Sequence, residues 1–234
     1  LCLRLAQSIG IPAADTTILT TGKRTAICVL RYDRRIGRIG QIQRIHQEDF
    51  AQANGIPPGR KYERGTLPGP DLKALLATGR ALPPSDALAL LDQLIFNILV
   101  ANTDAHAKNY SILFPIGAEP RLAPLYDVST VLPWEHVNQY FAQNLAGKRR
   151  KPEAMASRHW DTIARDMGYR PTDLRDRVKE LVDAIIAKSP AVAEGIVDLP
   201  GVTPGYVAQA VELIEANALR IAGRLAPATG APKR

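Results

Sequence analysis

Asp104 and Asn109 stand five residues apart in the polar run Asn102–Asn109, and Asp127 follows across a short connection. An aspartate, an asparagine at that spacing and a second aspartate suit metal-assisted phosphoryl transfer from a nucleotide. One carboxylate orients and accepts from an attacking hydroxyl, while the carboxamide and the other carboxylate are hard oxygen donors for Mg²⁺. Tyr110–Phe114 and Arg121–Leu125 read as short strands flanking the turn Pro115–Pro120. Antiparallel pairing centred on Ala118 brings Asn109 and Asp127 to the same open end of that hairpin. The same run also fits a plain helix-to-strand connection, with Asp104 and Asn109 as turn and cap residues, and spacing alone leaves the two readings even.

Elements on both sides must hold these residues. Ser85–Ala101 is an apolar helix-forming run with Ser85 as a candidate cap, and it ends where the polar cluster begins. Leu88–Val100 is the longest apolar stretch, interrupted by Asp92, Gln93 and Asn97. Upstream, residues 1–10 read as a helix, followed by strands at Thr16–Thr20 and Thr25–Leu30 around a Thr-Gly-Lys turn. Ile36–Gly69 is rich in Gly, Pro and Arg, with only a short helix expected at Glu48–Ala53, and so long an irregular stretch is usually functional. Asp71–Thr78 reads as a helix. Downstream, helices are expected at Val137–Ala146, at Ser157–Met167 with Gly168 as its stop, after a Thr172 cap, and from Thr203-Pro204 to about Leu225. Ala226–Arg234 has no packing pattern and reads as a disordered tail.

The fold class expected is α+β and mostly helical. The chain has 234 residues, 46% of them hydrophobic, enough for a sizeable core in one or two domains. No run of about 18 apolar residues spans a bilayer, and no signal-peptide pattern is present. Cys2 and Cys28 make no disulfide framework and are expected as buried reduced thiols, which fits the cytoplasm. Four histidines offer no zinc-type spacing. The net charge of +7, clustered at Arg31–Arg44 and Lys148–Lys151, invites a nucleic-acid reading. A solvated basic loop, or contacts to ATP and an acidic substrate, account for the same charge and are favoured.

Beyond spacing, the polar run resembles the HipA family of bacterial serine/threonine kinases, the toxin halves of type II toxin–antitoxin pairs. The likeness extends through Leu5–Pro12, Val29–Arg34, His46–Tyr62, Leu122–Asp127, Leu145–Lys148 and, less sharply, His159–Gly168. These segments occur in the family's order, which is far more specific than a single motif. The resemblance implies a protein-kinase-like helical C-lobe at residues 34–225, with 1–33 as the remnant of a β-containing nucleotide-binding N-lobe and hinge. It implies Asp104 as the catalytic aspartate and Asn109 and Asp127 as metal-binding residues. His106 falls near the ATP phosphates, Tyr32 in the hinge that meets the adenine, and Asp33 near the ribose; Lys108 is a further candidate facing the phosphates. Leu30 replaces the acidic residue expected at the start of the hinge, which leaves recognition by backbone groups untouched.

One departure concerns the beginning. Leu1 opens inside a helix that the family places after its phosphate-covering loop and ATP-binding lysine, and Lys23 sits in a turn, not on that strand. The expected activity is transfer of the ATP γ-phosphate, with Mg²⁺, to a protein Ser or Thr. Expected partners are a HipB-like helix-turn-helix antitoxin and the protein substrate, with DNA met only through the antitoxin and no membrane. Two alternatives stay open: an inactive kinase-like fragment serving as a binding module, and a small-molecule phosphotransferase on the same fold.

Overall fold

A computed structural model describes residues 1–226. The chain runs α1 (Cys2–Ser8), β1 (Thr16–Thr21), β2 (Arg24–Val29), β3 (Arg34–Ile36), β4 (Ile42–Arg44), β5 (His46–Asp49) and α2 (Phe50–Ala53). It continues through α3 (Leu72–Arg80), α4 (Pro84–Leu99), β6 (Ser111–Phe114), β7 (Arg121–Leu122), α5 (Ser157–Met167), α6 (Pro171–Glu194) and α7 (Pro204–Ala222). The fold is therefore α+β and mostly helical. The tail read from the sequence lies, from residue 227 on, outside the described residues.

The core is built on α4, an apolar helix with Leu94, Ile95, Phe96, Ile98 and Leu99 all buried. Helices α5, α6 and α7 pack around it through Trp160, Val178, Ile185, Ile214 and Ala218, and Leu5 and Ala6 of α1 join the same cluster. Burying so many large apolar side chains supplies the main driving force for this half of the molecule. The polar residues that interrupt α4 are anchors. Asp92 receives Nε and Nη2 of Arg177 from α6 at 2.8 and 2.7 Å, Gln93 donates to the Ala123 carbonyl, and Asn97 donates to the Tyr110 hydroxyl. Asp86 receives both the Arg121 guanidinium and the Leu122 N–H. One helix thus holds the far arm of the hairpin by two separate side chains.

Several expectations need correction. The hairpin pairs Ile112 with Leu122 and Leu113 with Arg121, so it is centred on Gly117, whose φ of 74° turns the chain, and not on Ala118. Its second arm keeps one further bond, Ala123 N–H to the Ser111 carbonyl, and then leaves the sheet, with Leu125 bridging to Ala13 instead. Within 36–69 the structure has strands β4 and β5 as well as the short helix, and β5 completes a three-stranded sheet by pairing antiparallel with β6. Val137–Ala146 is not helical. Its backbone is claimed by distant partners: Phe141 N–H by the Arg150 carbonyl, and Asn144 N–H by the Glu63 carboxylate. Ser85 and Thr172 lie inside their helices rather than capping them, since Pro84 and Pro171 take the first helical positions, where a missing N–H costs nothing. Cys2 is buried as expected, but Cys28 is exposed.

Candidate functional site

The polar run begins where α4 stops. Asn102 reaches back with its N–H to the Asn97 carbonyl and with its side-chain amide to Asn97 Oδ1, at 2.8 and 2.9 Å. From α7, Asn217 donates to the carbonyls of Ile98 and Leu99. These bonds satisfy helix-end carbonyls that would otherwise be buried without partners. Thr103 then donates to the Asn138 carbonyl and Val131 N–H to the Ala101 carbonyl, tying the loop to the segment that follows the hairpin. A tight turn, His106 N–H to Asp104 C=O at 2.7 Å, projects Asp104 outward while His106 turns in.

Asn109 and Asp127 meet. Asn109 Nδ2 stands 3.0 Å from Asp127 Oδ2 and 3.4 Å from the Asp127 carbonyl oxygen. Asp127 has φ 55°, a left-handed conformation unusual outside glycine that turns its carboxylate back toward Asn109. The next residue back, Tyr126, is fixed by Ser111 Oγ and by the Lys108 carbonyl, so the approach of the second arm is set by a buried hydroxyl. Two buried polar atoms at this pair have no partner: Asn109 Oδ1 and His106 Nδ1. A buried polar atom without a partner calls for an explanation, of which a bound water or ion is one. Burial pushes the His106 imidazole below its ordinary pKa, against the opposing pull of Asp104, and so keeps it neutral.

On the other side of Tyr126, its ring faces Tyr32 with centroids 5.9 Å apart. Tyr32 lines an open cleft of about 980 Å³ whose walls include Ala14, Val29, Ile36, Ile42 and Pro124. Among the described residues neither the N–H nor the carbonyl of Tyr32 is used in a backbone hydrogen bond. Asp33 is buried beside it, and its carboxylate is occupied by Arg31, at 2.7 and 2.5 Å, and by Arg34. Those guanidiniums hold its pKa below the usual carboxylate value. Lys108 is likewise engaged, in an ion pair with Asp49, and so does not face the Asn109–Asp127 pair as a free charge. A second cleft, about 770 Å³, opens around Asp104 and is walled by Tyr62, Arg64, Thr103, Tyr140 and Arg149.

The structure thus joins Asn109 to Asp127 directly, with Tyr32 linked to Asp127's neighbour Tyr126, and sets His106 where both Asp104 and Asp127 act on its imidazole. Sequence reasoning assigned no role to Tyr62, whose hydroxyl donates to Asp104 Oδ1 at 2.7 Å. It also gave none to Asp86, Gln93 or Asn97. Polar residues inside an otherwise apolar helix were the available signal for the α4 anchors; nothing local marks Tyr62. Among the described residues no three His, Cys, Asp or Glu side chains cluster to hold a metal by themselves. A cation here would draw on Asn109 Oδ1, Asp127 and the ligand's own oxygens, the usual habit of Mg²⁺ at nucleotide sites.

Comparison with known proteins bears on this arrangement. Residues 1–189 match the HipA-like C-terminal domain family. Y4mE of Sinorhizobium fredii, provisionally named a kinase, is 38% identical over 200 residues, which is 84% of this chain and 47% of that protein. The serine/threonine-protein kinase toxin HipA of Shewanella oneidensis is 35% identical over 153 residues, 60% of this chain and 35% of the toxin. In the solved complex of Shewanella oneidensis HipA, HipB and operator DNA, one chain superposes with TM-score 0.83 at 28% identity, over 96% of this chain and 55% of that one. The Helicobacter pylori proinflammatory kinase CtkA superposes with TM-score 0.66 at 12% identity, over 96% and 81%, and shares the fold. The chain spans about half the length, or less, of these curated relatives.

Proposed function

This chain belongs to the HipA-like C-terminal domain family, and from that premise we propose that the protein carrying it is an ATP-dependent serine/threonine kinase, the toxin of a toxin–antitoxin pair. The observation that carries the reading is the meeting of Asn109 with Asp127 beside an unpartnered Asn109 Oδ1, with His106 under the influence of both Asp127 and the exposed Asp104. Asp104 Oδ2 accepts the proton of a Ser or Thr hydroxyl as that oxygen attacks the γ-phosphorus of ATP. Asn109 Oδ1 and the Asp127 carboxylate would hold Mg²⁺, which supplies charge neutralisation at the phosphates. The donor set fits: two hard oxygens, one of them buried without a partner. Neutral His106 faces the same surface and offers a hydrogen bond without adding charge.

Tyr32 supplies free backbone groups beside an apolar cleft, which suits a flat base such as adenine. For Asp33 a direct ribose contact requires that it share or exchange Arg31, because its carboxylate is already paired. The cleft around Asp104 receives the acceptor segment of the protein substrate. A HipB-like helix-turn-helix antitoxin is the proposed partner, with DNA reached through it; the similar Shewanella chain was solved in a complex of HipA, HipB and operator DNA. No helix among the described residues is long and apolar enough to cross a membrane, and the reading places the protein in the cytoplasm.

The test is transfer of label from [γ-³²P]ATP to acceptor protein by the complete gene product, comparing wild type with Asp104→Asn. Transfer should fall by several orders of magnitude in the variant. Folding and ATP binding should stay intact, because the side chain is exposed and fills no core space. Equal transfer by the two proteins removes Asp104 from the role and the reading with it.

A further inference from the structure

Tyr62 lies on a strap, residues 58–69, that crosses in front of the polar run. Four successive residues tie it down. The Lys61 carbonyl accepts from Ala107 N–H, the Tyr62 hydroxyl donates to Asp104 Oδ1, and Glu63 receives both the N–H and the side-chain amide of Asn144. Arg64 donates to Asn144 Oδ1 at 2.9 Å and to the Phe141 carbonyl at 3.2 Å. The strap also closes on itself: Gly69 N–H donates to the Tyr62 carbonyl at 2.7 Å, and Arg60 donates to the Pro68 carbonyl. A Cβ on Gly69 would meet the Arg60 carbonyl oxygen at 1.8 Å, so this closure requires glycine.

The Tyr62 ring has two close neighbours. It meets His106 in a T-shaped contact, centroids 5.1 Å apart, and Lys61 Nζ lies over the ring, 5.0 Å from its centroid. Burial and the neighbouring Asp104 push the phenol up to about 12, so it keeps its proton at neutral pH and can only donate to the carboxylate. Asp104 Oδ2, in contrast, has no hydrogen-bond partner among the described residues.

We propose that Tyr62 is a positioning residue for Asp104: its phenol fixes Oδ1, and this leaves Oδ2 aimed at the incoming hydroxyl. The proposal rests on the kinase reading. In the step, the acceptor oxygen bonds the γ-phosphorus and its O–H bond breaks, the proton passing to Asp104 Oδ2. The bond from the γ-phosphorus to the β,γ-bridging oxygen breaks with its electron pair remaining on ADP. Tyr62 keeps its proton throughout. An exposed aspartate samples two or more side-chain orientations, and only a strongly placed donor selects one; small misplacements of a reacting group cost large factors in rate. Because the strap grips both the polar run and residues 141–144, seating of that following segment also reaches Asp104 through Tyr62.

The experiment uses the complete gene product, Mg-ATP and the best acceptor found in a Ser/Thr peptide library. Tyr62→Phe keeps the ring against His106 and removes only the hydroxyl. It should lower kcat by roughly 10–100-fold, with the KM for ATP and the melting temperature unchanged. In an Asp104→Asn background the same substitution should change the residual rate by less than about twofold, because the two groups act as a unit. Tyr62→Ala, which also removes the ring, measures how much the strap itself depends on the contact. Wild-type kcat in Tyr62→Phe, or the same loss with and without Asp104, overturns the proposal. Absence of transfer by the wild-type protein on every peptide sinks the kinase reading instead.

Discussion

The helical floor and the two ribbons beside the hinge are built on opposite terms. In α4 nearly every apolar side chain is buried, and Asp86, Asp92, Gln93 and Asn97 are each bonded to a neighbouring element. Strands β1 to β4 form two separate two-stranded ribbons, and every residue of β2 and β4 is exposed. Ile27 and Ile36 stand 74% and 83% open to solvent. Two-stranded ribbons have little stability of their own, and local opening follows the density of buried contacts. The chemistry-bearing residues Asp104, Asn109 and Asp127 belong to the floor, while Tyr32 belongs to the junction of the ribbons. On the proposed kinase reading this division would suit phosphoryl transfer, with Asp104, Asn109 and Asp127 on the fixed floor and Tyr32 where the chain can adjust.

The comparison is tested most severely by removing chemistry from the floor without removing its support. Asp127→Asn keeps a residue that tolerates the left-handed backbone while halving the oxygen donors. Transfer should fall by at least about 100-fold and Mg-ATP binding should weaken, with no loss of melting temperature. Unchanged Mg-ATP affinity in a titration, or a lowered melting point, would separate Asp127 from metal binding.

A second comparison sets one half against the other. Phe96 is fully buried in α4, and Phe96→Ala should cost about 3–5 kcal/mol in denaturant unfolding. Ile36→Thr on the ribbon should shift stability by no more than roughly 0.5 kcal/mol. Similar losses at the two positions would show that the ribbon carries more of the fold than its exposure implies.

The smallest effect concerns acid. His159 is buried in the first turn of α5, where its Nδ1 accepts from Ala156 N–H. Burial, with Arg150 and Arg158 nearby, lowers its pKa to about 4. Its unfolded value lies near 6.5, so the unfolded chain binds the extra proton first as pH falls. The contribution is fully present above about pH 6.5 and is lost on descent toward pH 4. His159→Gln retains a capping acceptor but does not titrate. Its melting temperature should fall less steeply over that window than that of wild type, and parallel curves would rule the histidine out.

Much of the floor was legible in the sequence. Ser157–Met167 appeared as read, ended by Gly168 at φ 78°, because a helix and its stop are written within a few residues of each other. The β1–β2 ribbon was likewise signalled by two short runs of Thr and apolar residues on either side of a Thr-Gly-Lys turn. The polar run marked Asp104, Asn109 and Asp127 as candidates through their types and spacing, and the meeting of Asn109 with Asp127 followed from a hairpin between them, although its centre lies one residue from the expected one.

What the tertiary structure decided lies where bonds run between distant segments. Val137–Ala146 has helix-forming residues, yet its amides are taken by Glu63 and Arg150, and no local signal announces either partner. Strand β5 exists because β6, more than sixty residues away, presents a free edge to Phe50-flanking backbone. Asp33 is buried between two arginines, and Tyr62 reaches Asp104 across forty-two positions. Residue types and short-range spacing marked which groups are candidates for chemistry. Only the packed chain determined which of their atoms are already bonded and which remain free, because hydrogen-bond partners at long sequence separation leave no periodic trace.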